Sequence, residues 1–140
     1  MTLAEEVVDA SVIGAAFFNE AASASARAWL ISAPRLIAPD LVYAEIASIA
    51  AKKVWRGEAS TEAGARSIDA IDDFLAEAVP LGELAGRAFD LAAQHRFSAY
   101  DATYLALAER RETRLVTLDR KLADRARQAG VDPLLRELKP

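Results

Sequence analysis

Four carboxylates carry the chemistry this sequence offers: Asp9, Glu45, Asp101 and Asp119. Asp9 follows Val7-Val8 at the end of a β-branched run, and Asp119 follows Leu115-Val116-Thr117-Leu118. Glu45 stands one turn into the helix that leaves a second apolar run, and Asp101 opens the helix after Phe97. In open parallel sheets ligands bind beyond the carboxyl ends of the strands, so four acids far apart in sequence are expected at one edge of one sheet. Each has a plainer reading as well. Asp9 and Asp119 suit helix N-caps, Ser98-Ala-Tyr-Asp101 fits a capping box, and Glu45 suits the positive end of a helix dipole. Capping gives no reason for the four to converge. Two carboxylates ~5 Å apart repel by roughly 3 kcal/mol at an effective dielectric of about 20, so a cluster requires protonation or a cation. Without cysteine, and with His95 the single histidine, an oxygen ligand set points to a hard ion, Mg²⁺ or Mn²⁺. Such a site can activate water and offset charge on a phosphoryl group.

The elements that must position these acids follow from periodicity and punctuation. Glu5–Asp9, Arg35–Ala38 between Pro34 and Pro39, and Arg114–Leu118 read as short buried strands; Pro133–Leu138 is a further candidate. Ala78–Leu81 is a weak strand, demoted by Pro80. Helices are expected at Ser11–Phe18, Ala24–Ser32, Asp40–Trp55, Thr61–Glu77, Gly82–His95, Ala99–Arg111 and Arg120–Ala129, with Gly57 and Gly130 as stops. On the long third helix Leu41, Ala44, Ile46, Ile49 and Val54 suggest the buried stripe. Strands alternating with helices argue a three-layer α/β/α domain around a short parallel sheet.

Composition bounds the rest. A chain of 140 residues, 53% hydrophobic and 27% charged, fits one domain spanning 1–140. The absence of cysteine excludes disulfides, thiolate metal sites and a cysteine nucleophile. A formal charge of −4 gives no global attraction for phosphate backbones, although a local basic patch is allowed. No membrane span or basic leader is apparent, so a cytoplasmic domain is expected. Alanine and arginine (32 and 13 residues, against 4 lysines) reflect helix propensity and coding bias more simply than nucleic-acid binding.

The motifs VVDAS at 7–11, APDLVYAEIAS at 38–48, SAYDATYLALAE at 98–109 and LVTLDRKLA at 115–123 together resemble the PIN-domain ribonucleases, specifically the VapC-type toxins of bacterial toxin–antitoxin pairs. The resemblance covers essentially the whole chain. It implies a PIN-like α/β/α fold and Mg²⁺- or Mn²⁺-dependent endonucleolytic hydrolysis of RNA. It carries the family's acidic quartet onto Asp9, Glu45, Asp101 and Asp119, with Asp9 and Asp101 the chief metal ligands. Its small hydroxyl residues match Ser11 and Thr117. Where the family commonly has Asn, three residues after the glutamate, this chain has Ser48, a shorter group with which to support Glu45. A cognate antitoxin and a homodimer are also implied.

Other residues carry weaker readings. Arg120 and Lys121 stand at a helix start, where the dipole opposes them, and are candidates for RNA contact. Lys52, Lys53, Arg110 and Arg111 are ordinary helix C-terminal cations, and His95 an ordinary C-terminal residue of its helix. Tyr100 and Tyr104 could stack on a base or pack. Phe17, Phe18, Tyr43 and Trp55 are expected to border an apolar groove beside the cleft that receives an antitoxin segment; Trp29 is core or partner surface. A haloacid-dehalogenase-type enzyme would want a second Asp where Ser11 stands, and a receiver domain an Asp after a middle strand. The stronger rival is a catalytically idle PIN-like interaction module.

Overall fold

The computed structural model describes residues 5–33 and 35–140; the fencing role given to Pro34 lies outside them. The chain alternates strands and helices: β1 (Glu5–Val8), α1 (Ala10–Phe17), α2 (Ser23–Ser32), β2 (Arg35–Pro39), α3 (Leu41–Trp55), α4 (Thr61–Phe74), β3 (Glu77–Val79), α5 (Leu81–His95), α6 (Ala99–Arg110), β4 (Leu115–Thr117), α7 (Arg120–Ala129) and β5 (Leu135–Glu137), the last preceded by a 3₁₀ turn, Asp132–Leu134. The five strands form one parallel sheet in the order β3-β2-β1-β4-β5. Helices α1 to α4 pack among themselves, and α5 packs on α6, which lies across β1, β2 and β4. The sheet is therefore covered on both faces, which explains its unbroken apolar strands: Val7, Val8, Ile37, Ala38, Leu115 and Val116 are fully buried. Among the described residues no helix is long and apolar enough to cross a membrane.

The alanine richness has a packing use. Ala10, Ala15, Ala26, Ala102, Ala106, Ala108, Ala123 and Ala126 are buried where helices meet the sheet or each other, and small side chains allow that close approach. Gly14 is the extreme case, since a Cβ there would lie 3.3 Å from Ile49 Cδ1 of α3.

Several expectations need correction. The helix predicted to Glu77 stops at Phe74, because Leu75 turns extended and the Ala76 amide donates to Leu36 O at 2.8 Å, drawing the chain onto β2. Residues 77–79 form a strand despite Pro80, because β3 is an edge strand and the proline falls just past its end, at the start of α5. The buried face of α3 is Val42, Ile46 and Ala50, with Leu41, Ile49 and Val54 half-buried; Ala44 is exposed. Gly57 and Gly130 do close α3 and α7, both at φ +72°.

Candidate active site

The parallel topology brings the carboxyl ends of β1, β2 and β4 side by side. Asp9 directly follows β1, Asp119 follows β4 by one residue, Glu45 lies on α3 after β2, and Asp101 lies in the first turn of α6. All four carboxylates line one cleft of about 260 Å³, together with Ser11, Ser48, Ile49 and Lys52. Glu45, Ser48, Ile49 and Lys52 occupy positions i, i+3, i+4 and i+7 of α3, which is one face of a helix.

Asp9 stands at the N-cap position of α1 yet makes no side-chain capping bond. Its Oδ2 instead accepts from Thr117 Oγ1 at 2.6 Å and Ser11 Oγ at 2.8 Å. Those hydroxyls in turn accept from the amides of Asp119, at 2.9 Å, and Leu118, at 3.1 Å. Because each hydroxyl oxygen accepts from the backbone, its single proton is turned toward Asp9. This network holds the carboxylate at the end of β1 to the end of β4. Asp119 does both things expected of it: Oδ1 caps α7 by accepting from Leu122 N at 3.1 Å, and the residue lines the cleft. At Asp101 the cap is Ser98, whose Oγ accepts from the Asp101 amide at 3.0 Å.

Proton affinities in the cleft are raised. Burial pushes the Asp9 carboxyl above its ordinary range; its two hydroxyl donors oppose the shift, and the charges of Asp101 and Asp119 add to it. Glu45 is raised by burial and then by Asp9 and Asp101, against a lowering influence of Tyr104. Asp101 is raised by burial and by Asp119. Mutual repulsion is thus built into the cleft. Among the described residues no three of these carboxyls converge tightly enough to form a metal-ligand set as they stand, so they share a cleft without the closer clustering expected from the sequence. Like charge opposes that approach.

Sequence reasoning missed three neighbours. Lys52, read as an ordinary helix-end cation, borders the cleft; its spacing of seven from Glu45 was the available signal. Arg125, on α7, places Nη1 4.0 Å from Asp101 Oδ2, and nothing local in the sequence announces that contact. Tyr104, three residues after Asp101, is fully buried. Its hydroxyl and Glu45 Oε1 are both buried without a hydrogen-bond partner of proper geometry, although they face each other closely enough for the hydroxyl to favour the ionised Glu45. Base stacking is therefore closed to Tyr104 and sterically open to the exposed Tyr100. Ser48 reaches the cleft but makes no hydrogen bond to Glu45 among the described residues. Arg120 and Lys121 are exposed at the start of α7 and line no part of the cleft. His95 lies in the last turn of α5, edge-on to Phe97.

A sequence profile of the PIN domain matches residues 7–128, which includes all four carboxylates. The chain belongs to the PIN-domain family. Within it, this PIN domain is 34% identical over 121 residues to Ribonuclease VapC3 of Pyrobaculum aerophilum, covering 85% of this chain and 92% of that protein. It is 36% identical over 118 residues to VapC ribonuclease Mb0985 of Mycobacterium bovis, covering 84% and 88%. In fold it matches Mycobacterium tuberculosis VapC20, a toxin described as cleaving the sarcin-ricin loop, with a TM-score of 0.67 at 19% identity over 85% of this chain and 93% of that one. The Pyrobaculum aerophilum protein PAE2754 gives a TM-score of 0.66 at 25% identity, covering 86% and 78%.

Proposed function

We propose that this PIN domain is an endoribonuclease that hydrolyses RNA as the toxin of a toxin–antitoxin pair, with Mg²⁺ or Mn²⁺ as cofactor. The observation that carries the reading is the Asp9 network: a carboxylate oriented by two hydroxyls, in a cleft shared with three further acids, in a chain similar along most of its length to VapC ribonucleases.

The cleft fits a hard divalent cation. All its candidate donors are carboxylate oxygens, Glu45 Oε1 is buried without a partner, and Asp9, Glu45, Asp101 and Asp119 repel one another across the cleft, which a bound cation would relieve. Asp9 and Asp101 would hold the ion, with Glu45 and Asp119 completing the site directly or through water. A cation bound there supplies Lewis acidity, lowering the pKa of water and offsetting charge on the phosphoryl group. The chain's own residues do the rest. Ser11 and Thr117 fix the orientation of Asp9, Ser98 fixes the start of α6 beneath Asp101, and Lys52 stands at the rim where a phosphate's charge would enter.

The partners belong to the same reading. Phe18 is buried and Phe17 half-buried, so neither opens the apolar groove expected beside the cleft; a concavity of about 340 Å³ between α3 and α4 is lined by Ala47, Ala51, Val54, Ala65 and the exposed Trp55. Tyr43 is engaged by Asp72, its hydroxyl donating to Oδ1, and Trp29 is core. An amphipathic antitoxin helix suits the α3–α4 groove. A second copy suits the α5–α6 face, where Phe89 and Tyr100 are exposed.

The test is cleavage of RNA by purified protein with Mn²⁺, with EDTA, and with Asp101→Asn. Activity undiminished by EDTA or by the substitution rejects the mechanism. The idle-module alternative rests on Ser48, which stands where the family commonly has Asn and leaves the buried Glu45 Oε1 without a hydrogen-bond partner. It predicts neither cleavage nor Mn²⁺ binding in the same experiment.

A further inference from the structure

The ribonuclease reading leaves open how a chain of net charge −4 holds a polyanion; the distribution of its cations answers this. About half are paired with carboxylates, among them Arg35 and Arg111 with Glu5 and Glu77, Arg87 with Glu109, and Arg127 with Glu137. Eight cations form no ion pair among the described residues, Lys52, Arg56 and Arg96 among them, and Arg125 has only the loose 4.0 Å contact with Asp101. Lys52, Arg56, Arg96 and Arg125 line two concavities, one sharing residues with the acidic cleft and the other linked to it through the Arg125–Asp101 contact. One, about 490 Å³, shares Ser11, Ile49, Lys52 and the carboxylate Asp119 with the cleft and adds Arg56, Lys53 and Glu20, the last two paired at 3.1 Å. The other, about 260 Å³, lies between the end of α5 and α7, is lined by Gln94, His95, Arg96, Arg125 and Gln128, and meets the cleft where Arg125 reaches Asp101.

Arg96 adds an independent observation. It ends α5 at φ 60°, the left-handed conformation in which glycine is the unstrained choice. An arginine held there, unpaired and facing a pocket with a second arginine and two amides, points to a task for its side chain.

We propose that a single-stranded RNA crosses the acidic cleft between two phosphate-binding pockets, with Arg96 and Arg125 holding one backbone phosphate on the α5–α7 side and Lys52 and Arg56 another on the α3 side. Guanidinium groups grip phosphate oxygens in pairs, and the amides of Gln94 and Gln128 offer donors beside them. Both pockets adjoin the acids, so binding energy gathered on flanking nucleotides brings an intervening phosphodiester over Asp9 and Asp101 despite their repulsion.

Arg125 touches Asp101, so the clean probe is Arg96→Gly, which relieves the backbone strain while removing the guanidinium. Affinity for a fluorescent 12-nucleotide single-stranded RNA is measured by anisotropy in EDTA across a salt series, and kcat/KM with Mn²⁺ for that RNA and for a dinucleotide substrate. Arg96→Gly is expected to melt no lower than wild type, to bind the 12-mer ~5–10-fold more weakly, and to lessen the slope of log K against log salt by about 0.7, the amount for one lost phosphate contact on single-stranded nucleic acid. Its kcat/KM should fall for the 12-mer and hold for the dinucleotide. Arg66→Ala, a control on α4 outside both pockets, is expected to change none of these. Wild-type affinity and slope in Arg96→Gly overturn the α5–α7 pocket, as does an equal loss on both substrates, which would place the effect in the cleft itself. A wild-type protein that neither binds nor cuts RNA overturns the ribonuclease reading instead.

Discussion

The two ends of the sheet carry similar numbers of acids and treat them in opposite ways. At the amino-terminal end, Glu5 and Glu77 are bridged by Arg111, at 2.8 and 2.6 Å, and by Arg35, and Glu6 faces Arg114 at 3.4 Å. Glu77 is held below the ordinary carboxyl range by its hydrogen bond from Arg111 and by Arg35. At the carboxyl end, Asp9, Glu45 and Asp101 are raised, Lys52 borders the cleft without an ion pair among the described residues, and Arg125 stands 4.0 Å from Asp101. One end has its charges cancelled and favours folding. The other is left uncancelled, a condition that costs stability and is retained where ligands bind in such sheets.

The contrast is broken most severely at Asp101. Asp101→Asn removes a repelled charge at nearly constant shape, so we expect RNA cleavage to fall by about 100-fold or more while thermal stability without divalent ions stays level or rises. A variant that melts lower than wild type would show that Asp101 supports the fold. At the base of the cleft, Tyr104→Phe deletes a buried hydroxyl close to the Glu45 carboxyl. The expected result is weaker Mn²⁺ affinity by about 10-fold, read by calorimetry, with little change in unfolding. Unchanged affinity would leave the hydroxyl without a role.

At the opposite end, Arg111→Ala is expected to lower unfolding free energy by about 1 kcal/mol in urea titrations and to leave activity per folded molecule untouched. Equal losses in both measurements would mean the two ends are coupled.

The smallest effect is in pH. Asp9, Glu45 and Asp101 bind protons more tightly folded than unfolded, so their contribution is most favourable below the unfolded carboxyl values, 3.8 for Asp and 4.5 for Glu, and is lost as pH rises through the raised native values. Glu77 and Glu137 are lowered, so their contribution is present above 4.5 and is lost as pH falls through their native values. Added Mn²⁺ should therefore raise the melting temperature more at pH 7 than at pH 5, where protons compete for the cleft. An increment independent of pH would separate the ion from these carboxyls.

The acids themselves were legible because strand–acid junctions such as Val7-Val8-Asp9 and Leu115–Asp119 are local patterns, and a parallel sheet must gather them at one edge. Ser11 and Thr117 were legible only through the resemblance to the PIN-domain family. Arg125 and Tyr104 were not: their relation to the site is a long-range distance, and a buried tyrosine reads in sequence like any core residue. Glu77 was assigned to a helix because its strand is made by pairing with β2, and Pro80 argued against a strand only until the strand proved to be an edge.

By itself the sequence determined the alternation of strands and helices, the parallel sheet and the four acids at its carboxyl end, because apolar period, capping residues and glycine stops act over a few neighbouring positions. The tertiary structure alone decided which charges are cancelled. Glu5 and Glu77 are acids of the same kind as Glu45, and only the folded chain sets Arg111 against the first pair and Tyr104 beneath the last. Charge interaction depends on distance and burial in space, and the order of residues along the chain does not carry either.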